Sequence, residues 1–577
     1  MSHSRHFKFA VIWGLLPQKY RLQSILIVIL TIIGAGLETL GLGLILPVLS
    51  VIMNPETFIS TNELYYFGSM LDELSQIELM VGGMLILGTA YLIKGIYLAF
   101  MIWRQSEYIY DIKSVLSDEL LKSYMHVGYE FHIQNNTGNL IRNITIETQQ
   151  FVGNVLIPSV RLFSELSVVI AIIALLIYIE PLGAIYLMII VGISMAAFQY
   201  ITRMRLMRWG QARQQFEGKR IQKAQEALGG IKDAKLLGKE QEFLDQYSHY
   251  NWQSSFIERK QLTLSQLPYI WLEIVAVAGL AFLVIFSVMR GADASQILPI
   301  LGVFGAGAFR IIPSANRILM ALQALRYSVA VIDLMDEELH RPKPADHVKS
   351  NPISFEHAIR LDQLCYQYPT AGLPSIMDIN LQINKGESVG IIGTSGAGKS
   401  TLVDVILGLL TPTSGQILID EVNAHDGLRS WQDHIGYVPQ HIFLSDETLR
   451  RNIAFGVAED EINNTEIDRA IRQAQLNEFV DSMPDGVNTI VGERGVRLSG
   501  GQRQRIGIAR ALYHNPSVLV LDEASSALDT KTETALMEKI YDMQGERTLI
   551  IIAHRLSTIE KCDRIFRLEK GVLVDQG

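Results

Sequence analysis

The residues best suited to chemistry lie at 387–400, where the sequence is ESVGIIGTSGAGKS. From Gly393 to Ser400 it fits the pattern G-x-x-x-x-G-K-[ST], after an apolar strand and before a helical run at 401–410. Such loops point backbone N–H groups at phosphates, while the helix N-terminus, the lysine and the serine add positive charge and a Mg²⁺ ligand. A chance match in a glycine-rich turn is disfavoured by the strand–loop–helix order. The predicted phosphate-binding residues are Gly393, Thr394, Ser395, Gly396, Ala397, Gly398, Lys399, Ser400 and Thr401.

Two carboxylates follow a second apolar segment. Residues 518–521 are aliphatic and run directly into Asp522 and Glu523. This pattern suits a buried central strand whose end reaches a metal site. We expect Asp522 to hold Mg²⁺ through water, and Glu523 to orient and deprotonate an attacking water as general base. An aliphatic strand ending in two acids is weak evidence alone, but with the phosphate loop upstream it predicts nucleotide hydrolysis.

The elements that position these residues belong to the second half of a chain with two unlike halves. A length of 577 residues is too great for one compact core. The predicted limits are a transmembrane domain at 1–335, a linker at 336–354 and a nucleotide-binding domain at 355–577. The net charge of −9 and the lack of a polybasic cluster argue against a nucleic-acid partner, and two distant cysteines imply no disulfide framework.

The first half contains six apolar stretches long enough to cross a bilayer as helices. Lys and Arg cluster before the first stretch and in the second-to-third and fourth-to-fifth connections, whereas residues 54–76 contain none. The positive-inside rule therefore predicts cytoplasmic termini, and the first stretch is too long for a cleavable signal. The predicted spans lie near residues 25–53, 80–103, 156–178, 182–201, 268–289 and 297–322.

The two long inner connections are dense in apolar and charged residues at helical spacing. We expect the spans to continue into the cytoplasm as helices, with short turns near residues 128–139 and 229–240 that dock on the nucleotide-binding domain. The alternative is flexible loop, which the periodicity at 221–247 disfavours.

A third motif in the second half is Leu498-Ser499-Gly500-Gly501-Gln502, with a helix predicted from Arg503. This LSGGQ string, with the acidic pair that follows it, resembles the signature of ATP-binding-cassette (ABC) ATPases. Six spans followed by one cassette resemble the half-exporter layout of that superfamily. The resemblance implies an all-α polytopic membrane domain of six long helices, joined to an α/β P-loop NTPase cassette that uses ATP and Mg²⁺.

The same resemblance implies roles for further motifs. Tyr368, in CYQYP, is similar to the aromatic residue that stacks on adenine, although it could instead be an aromatic packed in a small sheet. The other implied roles are Gln440 as a Mg²⁺ ligand and sensor of the membrane domain, His554 as the γ-phosphate switch, Ser526-Ala527-Leu528-Asp529 as the loop joining two cassettes, and Glu493-Arg494-Gly495 as the loop that meets the inner turns. The implied metal set is Ser400, Gln440 and Asp522.

One cassette per chain implies a pair of chains. In the family, the signature of one chain closes on ATP held by the other, so Ser499, Gly500, Gly501 and Gln502 are expected to bind the partner's nucleotide. Because Glu523 and the signature are both intact, we expect a homodimer with two active sites.

Charged residues within membrane spans indicate function by default, and four stand out: Glu38, Lys94, Glu273 and Arg310. Lys94 and Arg310 are predicted at similar depth, where they could bind an anionic headgroup, or could instead pair with the two acids. Residues 310–317 (RIIPSANR) and an apolar face at Leu64, Phe67, Leu71 and Leu74 resemble lipid-linked oligosaccharide flippases. The sequence departs from that subfamily in having Lys at position 94 and no basic residue near Pro268-Tyr269.

The resulting hypothesis is ATP-driven flipping or export of an amphipathic lipid-linked substrate, best a polyprenyl-pyrophosphate-linked oligosaccharide, in a bacterial inner membrane. The alternative is a general exporter of lipids, drugs or peptides, with the peptide branch weakened because no protease-like domain fits before Ser24. The six predicted spans exclude a soluble cassette ATPase. No motif discriminates an ATP-gated channel or an atypical importer.

Overall fold

The computed structural model describes residues 9–44, 76–179, 181–289, 294–341, 352–369, 371–492, 495, 498–523, 530–553 and 555–576. The chain divides into two compact units, Met1–Val127 with Asn135–Lys343, and Gly128–Gln134 with Pro344–Gly577. The first unit is helical and the second contains both helices and sheets, which confirms the predicted fold class. The short segment Gly128–Gln134 groups with the cassette, as expected for the first inner turn.

The membrane unit is built from long helices that extend well past the apolar stretches. The inner connections are helical, as predicted: 51 residues form one helix over Gln76–His126, 49 over Pro181–Gly229 and 50 over Glu240–Met289. The other helices of this unit are Phe9–Leu15, Gln18–Gly43, Thr137–Arg142, Thr148–Phe151, Ile157–Ile179, Ile231–Leu237, Ala294–Tyr327 and Val329–Leu339.

Each predicted span overlaps one long helix. Among the described residues, four helices are long and apolar enough to cross a membrane, and the pair Ile311–Tyr327 and Val329–Leu339, bent by 52°, gives up to five. The count of six spans therefore stays a prediction. The fifth predicted span begins near Pro268, and that proline lies inside the helix Glu240–Met289. Membrane helices tolerate an internal proline because neighbouring groups satisfy the freed carbonyl.

Two π-helical turns, Asn143–Glu147 and Val152–Leu156, lie between the helices Thr137–Arg142 and Ile157–Ile179. Glu147 is fully buried there, and its carboxylate accepts a 2.7 Å hydrogen bond from the buried guanidinium of Arg213 on Pro181–Gly229. A buried charge is tolerated only when paired, so this contact fixes the two helices against each other.

The cassette contains two sheets. Their strands are β1 Ala358–Tyr366, β2 Ile376–Asn384, β3 Ser388–Ile392, β4 Ser414–Ile419, β5 Val422–Asn423, β6 Ile435–Val438, β7 Val518–Asp522, β8 Thr548–Ile552, β9 Arg564–Glu569 and β10 Val572–Gln576. The larger sheet has six strands in the order β10-β9-β3-β8-β7-β6, with β3 parallel to β8 and β9, and β7 parallel to β6 and β8. The smaller sheet is antiparallel, in the order β2-β1-β4-β5.

The central strands are aliphatic because both faces are covered. All five residues of β7 and all five of β8 are buried. The helices of the cassette unit are Tyr129–Gln134, Lys399–Ile406, Leu428–Asp433, Leu449–Ile453, Asn464–Gln473, Asn477–Asp481, Gly500–Tyr513, Thr530–Tyr541 and Leu556–Ile559. Parallel strands end at the same edge of the sheet, so the residues after β3 and β7 are brought together there.

Asp420, which follows β4, holds the start of the neighbouring strand β1. Its carboxylate accepts hydrogen bonds from the backbone N–H groups of Glu356, His357 and Ala358. Although burial acts in the opposite direction, these donors lower the pKa of Asp420. We expect Asp420→Ala to lower the free energy of unfolding by about 1.5–3 kcal/mol at neutral pH, because three donors lose a charged acceptor.

The pH dependence of this effect follows from the lowered pKa. When the pKa of a carboxylate is lower in the folded state, its ionised form stabilises the protein at pH values above the unfolded-state pKa of about 3.9. This stabilisation is lost as the pH falls through the folded-state pKa. The difference between wild type and Asp420→Asn should therefore shrink below about pH 4. Asparagine is the matched control because it tolerates the left-handed backbone at position 420, where φ is 47°. Thermal unfolding of the full chain measures both effects, and a difference that does not depend on pH would contradict this account.

Candidate functional site

The phosphate loop joins β3 to the helix Lys399–Ile406. Gly396 and Gly398 have φ angles of 79° and 102°, in the left-handed region that glycine adopts without strain. The helix begins at Lys399 and ends at Ile406, two residues earlier and four residues earlier than the predicted run at 401–410. It ends early because the chain turns at Gly408, where φ is 69°.

Lys399 is buried and lies across its own loop. Its ammonium group donates to the carbonyl oxygens of Gly393 at 2.8 Å and Thr394 at 3.1 Å. The loop is therefore held closed around a positive charge, and backbone N–H groups and a helix N-terminus lie next to it. This arrangement is suited to binding phosphate.

Glu523 follows the end of β7 and lies beside Gln440. The Gln440 side-chain amide donates a 2.7 Å hydrogen bond to the Glu523 carboxylate. Glu523 has a positive φ of 50°, and its backbone N–H donates to the Ile552 carbonyl at 3.1 Å. The predicted base and the predicted sensor are thus brought together, at the edge of the sheet where the phosphate loop also lies.

The residues predicted to bind Mg²⁺ fit that ion. Ser400, Gln440 and Asp522 supply hydroxyl, amide and carboxylate oxygens, which are the ligands that Mg²⁺ prefers. Burial, together with the charge of Asp522, raises the pKa of Asp404 to about 6. A cation near Asp522 would offset this concentration of negative charge. Among the described residues, no cluster of three His, Cys, Asp or Glu side chains could hold a metal ion.

A cavity of about 730 Å³ connects these groups. Nine of the predicted residues line it: Ser395, Gly396, Ala397, Gly398, Lys399, Ser400, Thr401, Gln440 and Glu523. Five lining residues were missed by the sequence analysis: Leu373, Pro374, Ser375, Met377 and Lys570. Leu373, Pro374 and Ser375 lie just before β2, Met377 lies in β2, and Lys570 lies in the β9–β10 turn. The loop motif includes none of these segments. Only their position in the folded sheets could have identified them.

Tyr368 lies next to this cavity without lining it. Its hydroxyl is 3.3 Å from the hydroxyl of Thr401, and its ring meets Tyr366 edge to face. Tyr368 is partly buried against the cassette core. The contact with Thr401 lies beside the cavity, as expected for a residue that stacks on adenine. The contact with Tyr366 is the one expected for an aromatic packed in the small sheet.

The signature residues form a helix N-terminus. The helix begins at Gly500 rather than at the predicted Arg503, because Ser499 caps it. The Ser499 hydroxyl accepts from the Gln502 backbone N–H at 3.1 Å, and the Gln502 side chain accepts from the Ser499 N–H at 2.7 Å. This capping box pairs the backbone N–H groups of Ser499 and Gln502 at the start of the helix. These residues do not line the cavity of their own chain.

Several predicted residues lie outside the described part of the chain: Glu493, Arg494, Ser526, Ala527, Leu528, Asp529 and His554, and also Leu64, Phe67, Leu71 and Leu74 of the first outer loop. Their roles stay predictions. Arg310 lies in the helix Ala294–Tyr327, but its side chain is also outside the described part.

Lys94 packs against the first long helix. The Lys94 ammonium group lies 4.8 Å from the centre of the Tyr91 ring. A Cβ added at Gly41 would lie 3.7 Å from the Lys94 Nζ. The structure also shows an ion pair that the sequence analysis missed, between Arg317 and Glu165. Opposite charges in the third and sixth apolar stretches indicate that each needs a partner, but they do not identify which partner.

Both halves of the chain match profiles of known protein families. A family profile described as "ABC transporter transmembrane region" matches residues 22–302, and one described as "ABC transporter" matches residues 376–526. YgaD of Bacillus subtilis (strain 168), an ATP-binding/permease protein named for multidrug export, is 30% identical over 494 residues, covering 83% of this chain and 82% of that protein. The chain belongs to the ABC transporter family.

Further similarities of this ABC transporter are to lipid-moving proteins and to exporters. The ATP-dependent lipid A-core flippase of Pseudoalteromonas translucida (strain TAC 125) is 29% identical over 484 residues, covering 80% of each chain. A solved bacterial Atm1-family ABC exporter with ATP bound has a TM-score of 0.77 at 23% identity, covering 93% of this chain and 94% of that one. The transporter therefore has the exporter fold, and its cassette is an ABC ATPase coupled to transport.

Proposed function

We propose that this transporter uses ATP to flip or export an amphipathic lipid with a sugar- and phosphate-bearing headgroup. The observation that supports a lipid is the similarity, over about four fifths of the chain, to proteins named ATP-dependent lipid A-core flippases. Because the chain also has a glycine-rich phosphate loop with a buried lysine, ATP hydrolysis is the energy source.

The finer form of the proposal is a polyprenyl-pyrophosphate-linked oligosaccharide. Its support is the sixth-helix sequence at 310–317 and two basic residues, Lys94 and Arg310, expected at similar depth. Pyrophosphate is doubly anionic, and basic residues inside a membrane protein are suited to bind it. A lipid A-core glycolipid is the second candidate, favoured by the names of the relatives. Both candidates share a phosphate group, sugars and hydrocarbon tails.

The proposed working form is a homodimer in which each chain lends Ser499, Gly500, Gly501 and Gln502 to the other chain's nucleotide. Its support is that these residues form a helix N-terminus but do not line their own chain's cavity. Mg²⁺ would be held by Ser400, Gln440 and Asp522, and Glu523 would accept a proton from the attacking water. His554 and Asp529 would complete the site between the two cassettes.

The proposed location is a bacterial inner membrane, with both termini and the cassette in the cytoplasm. The support is the distribution of Lys and Arg, which are absent from residues 54–76 and frequent in the inner connections. The proposed domain limits remain residues 1–335 and 355–577, with a linker between them.

The experiment that tests the lipid class is ATPase stimulation and flipping in reconstituted vesicles. Three probes are compared at equal concentration: a polyprenyl-pyrophosphate-linked oligosaccharide, a lipid A-core glycolipid and an uncharged amphipathic drug. Stimulation and flipping by either glycolipid alone supports the proposal and identifies its form. A response to the drug without a response to either glycolipid would overturn it.

Arg310 provides a second test of the headgroup. We expect Arg310→Ala to lower flipping of the anionic lipid about tenfold while basal ATPase activity persists, because a desolvated charge-assisted contact is lost. Arg310→Lys is the matched control, since it keeps the charge and should retain most of the flipping. Equal flipping by wild type and Arg310→Ala in vesicles would assign Arg310 to a structural pair instead.

A further inference from the structure

Lys570 occupies the tight turn between β9 and β10. Glu569 and Val572 pair across this hairpin, so Lys570 and Gly571 are its two turn residues. Their φ angles are 47° and 83°, both in the left-handed region. Two-residue hairpin turns of this form favour Asn-Gly, because asparagine adopts a positive φ more readily than a residue with a long side chain does. Lysine therefore lies at position 570 against the preference of the local backbone.

The turn is fixed to the phosphate loop by its backbone. The Gly571 N–H donates to the Ala397 carbonyl at 3.0 Å, and the Gly571 carbonyl accepts from the Met377 N–H at 2.8 Å. A Cβ at Gly571 would lie 2.8 Å from the backbone oxygen of Ser375, so this close approach requires glycine. Because Ala397, Met377 and Ser375 all line the nucleotide cavity, the turn is held at the wall of that cavity.

The charge of Lys570 is not neutralised by a neighbouring acid. Lys570 is exposed and lines the nucleotide cavity, and the acid that precedes it, Glu569, is paired with Arg567 at 2.7 Å. Within the part of the chain that the structure describes, Lys570 forms no ion pair. The other lysine of the cavity, Lys399, donates to two carbonyl oxygens of its own loop. The Lys570 ammonium group is therefore available to an anion that enters the cavity.

Backbone strain identifies the same residue. Among the described residues that line the cavity, two that are not glycine have a positive φ: Glu523 at 50° and Lys570 at 47°. Glu523 is the residue proposed above as the base. Sparsely populated backbone conformations cluster at functional sites, where the surrounding structure supports their cost. An unfavoured backbone angle and a charge without a partner thus coincide at Lys570.

We propose that Lys570 is a further nucleotide-binding residue, whose ammonium group attracts the phosphates of ATP and ADP. The phosphates are the anionic part of the nucleotide, and a lysine ammonium group on a flexible stem is a point charge suited to them. It adds to the positive field of Lys399 and of the N–H groups of the phosphate loop. Because Lys570 is exposed, salt screens its contribution. The proposal rests on the ATP site described above but is independent of which lipid is moved.

The test measures equilibrium binding of a non-hydrolysable ATP analogue, of ADP and of adenosine to the full-length protein in nanodiscs of zwitterionic lipid, at about 0.05 M and about 0.5 M NaCl. At low salt, we expect Lys570→Asn to raise the Kd of the ATP analogue about three- to tenfold, with a smaller rise for ADP because it has fewer charges. At high salt the rise should fall below about twofold. The Kd of adenosine, which has no phosphate, should stay within about twofold at both salt concentrations. The unfolding temperature without nucleotide should not fall, because asparagine suits the turn.

Lys385→Asn is the matched control. Lys385 is exposed and also precedes a glycine of positive φ, Gly386 at 80°, in the turn between β2 and β3, but it is not one of the residues that line the cavity. This control should leave every Kd unchanged, and Lys570→Arg, which keeps the charge, should bind the ATP analogue within about twofold of wild type.

An equal Kd of the ATP analogue in wild type and Lys570→Asn would overturn the proposal. So would a loss of the same size for adenosine, or a loss that salt does not reduce, because neither result comes from attraction between the ammonium group and phosphate. A loss of affinity that is accompanied by a lower unfolding temperature would assign Lys570 to the structure of the turn instead. Wild-type binding is measured in the same series and no transported lipid is needed, so a negative result here is separable from failure of the proposed function.

Discussion

Glu523→Gln is expected to lower ATP turnover by about 10²–10⁴-fold while ATP binding persists. Glutamine has the shape of glutamate and can still accept a hydrogen bond from Gln440, which now lies 2.7 Å from the carboxylate. It cannot take a proton from water. The substitution therefore removes the base and leaves the surrounding contacts. If two cassettes enclose the nucleotide, unhydrolysed ATP should also hold them closed.

The measurement pairs steady-state hydrolysis with the equilibrium binding of a fluorescent ATP analogue and with crosslinking between two chains. Glu478→Gln is the control, because Glu478 is an exposed acid on the same cassette. Turnover near the wild-type rate in Glu523→Gln would remove Glu523 from the role of base. A loss of turnover that is accompanied by an equal loss of binding would indicate a collapsed site instead.

The parts of the site that could be predicted from sequence are those encoded by neighbouring residues. The phosphate loop is one continuous stretch of sequence, so its motif identifies Lys399 directly. Glu523 can be recognised because the four aliphatic residues at 518–521 run into Asp522 and Glu523. The fold then required only that parallel strands end at one edge, which brings Gln440 to Glu523 across 83 residues. The helix limits were less accurate. Capping by Ser499 and the turn at Gly408 depend on backbone angles that residue types suggest only weakly.

The contacts that could not be predicted join residues far apart in sequence. Glu165 and Arg317 are 152 residues apart, Glu147 and Arg213 are 66 apart, and Glu130 and Tyr366 are 236 apart. No local pattern encodes such a pair, because any acid could in principle meet any base or hydroxyl. Each pair is selected by the packing of whole helices, or by the docking of a turn on a sheet. Leu236 and Leu237, on the helix Ile231–Leu237, are exposed. Docking of this second inner turn on the nucleotide-binding domain stays a prediction.

Gly398→Ala is expected to lower ATP hydrolysis at least about 100-fold. A Cβ at position 398 would lie 2.5 Å from the backbone oxygen of Ser375, and the φ of 102° strains any residue with a side chain. Backbone atoms cannot rotate away as a side chain can, so the loop itself must move. Lys399 is the next residue and would move with it. A displacement of about 1 Å in a catalytic group costs on the order of 10²-fold in rate.

Gly396→Ala separates this clash from backbone strain. Gly396 also has a positive φ, of 79°, but an added Cβ there would meet no atom within 4 Å. Alanine at 396 should therefore pay only the conformational term, about 1–2 kcal/mol, and reduce hydrolysis by roughly tenfold. Parallel measurements of hydrolysis, nucleotide affinity and thermal unfolding give the comparison. Equal losses at the two positions would mean that the approach of Ser375 to the loop does not control the placement of Lys399. A much larger loss at 398 would show that Ser375, which lies just before β2 and outside the motif, helps to build the phosphate site.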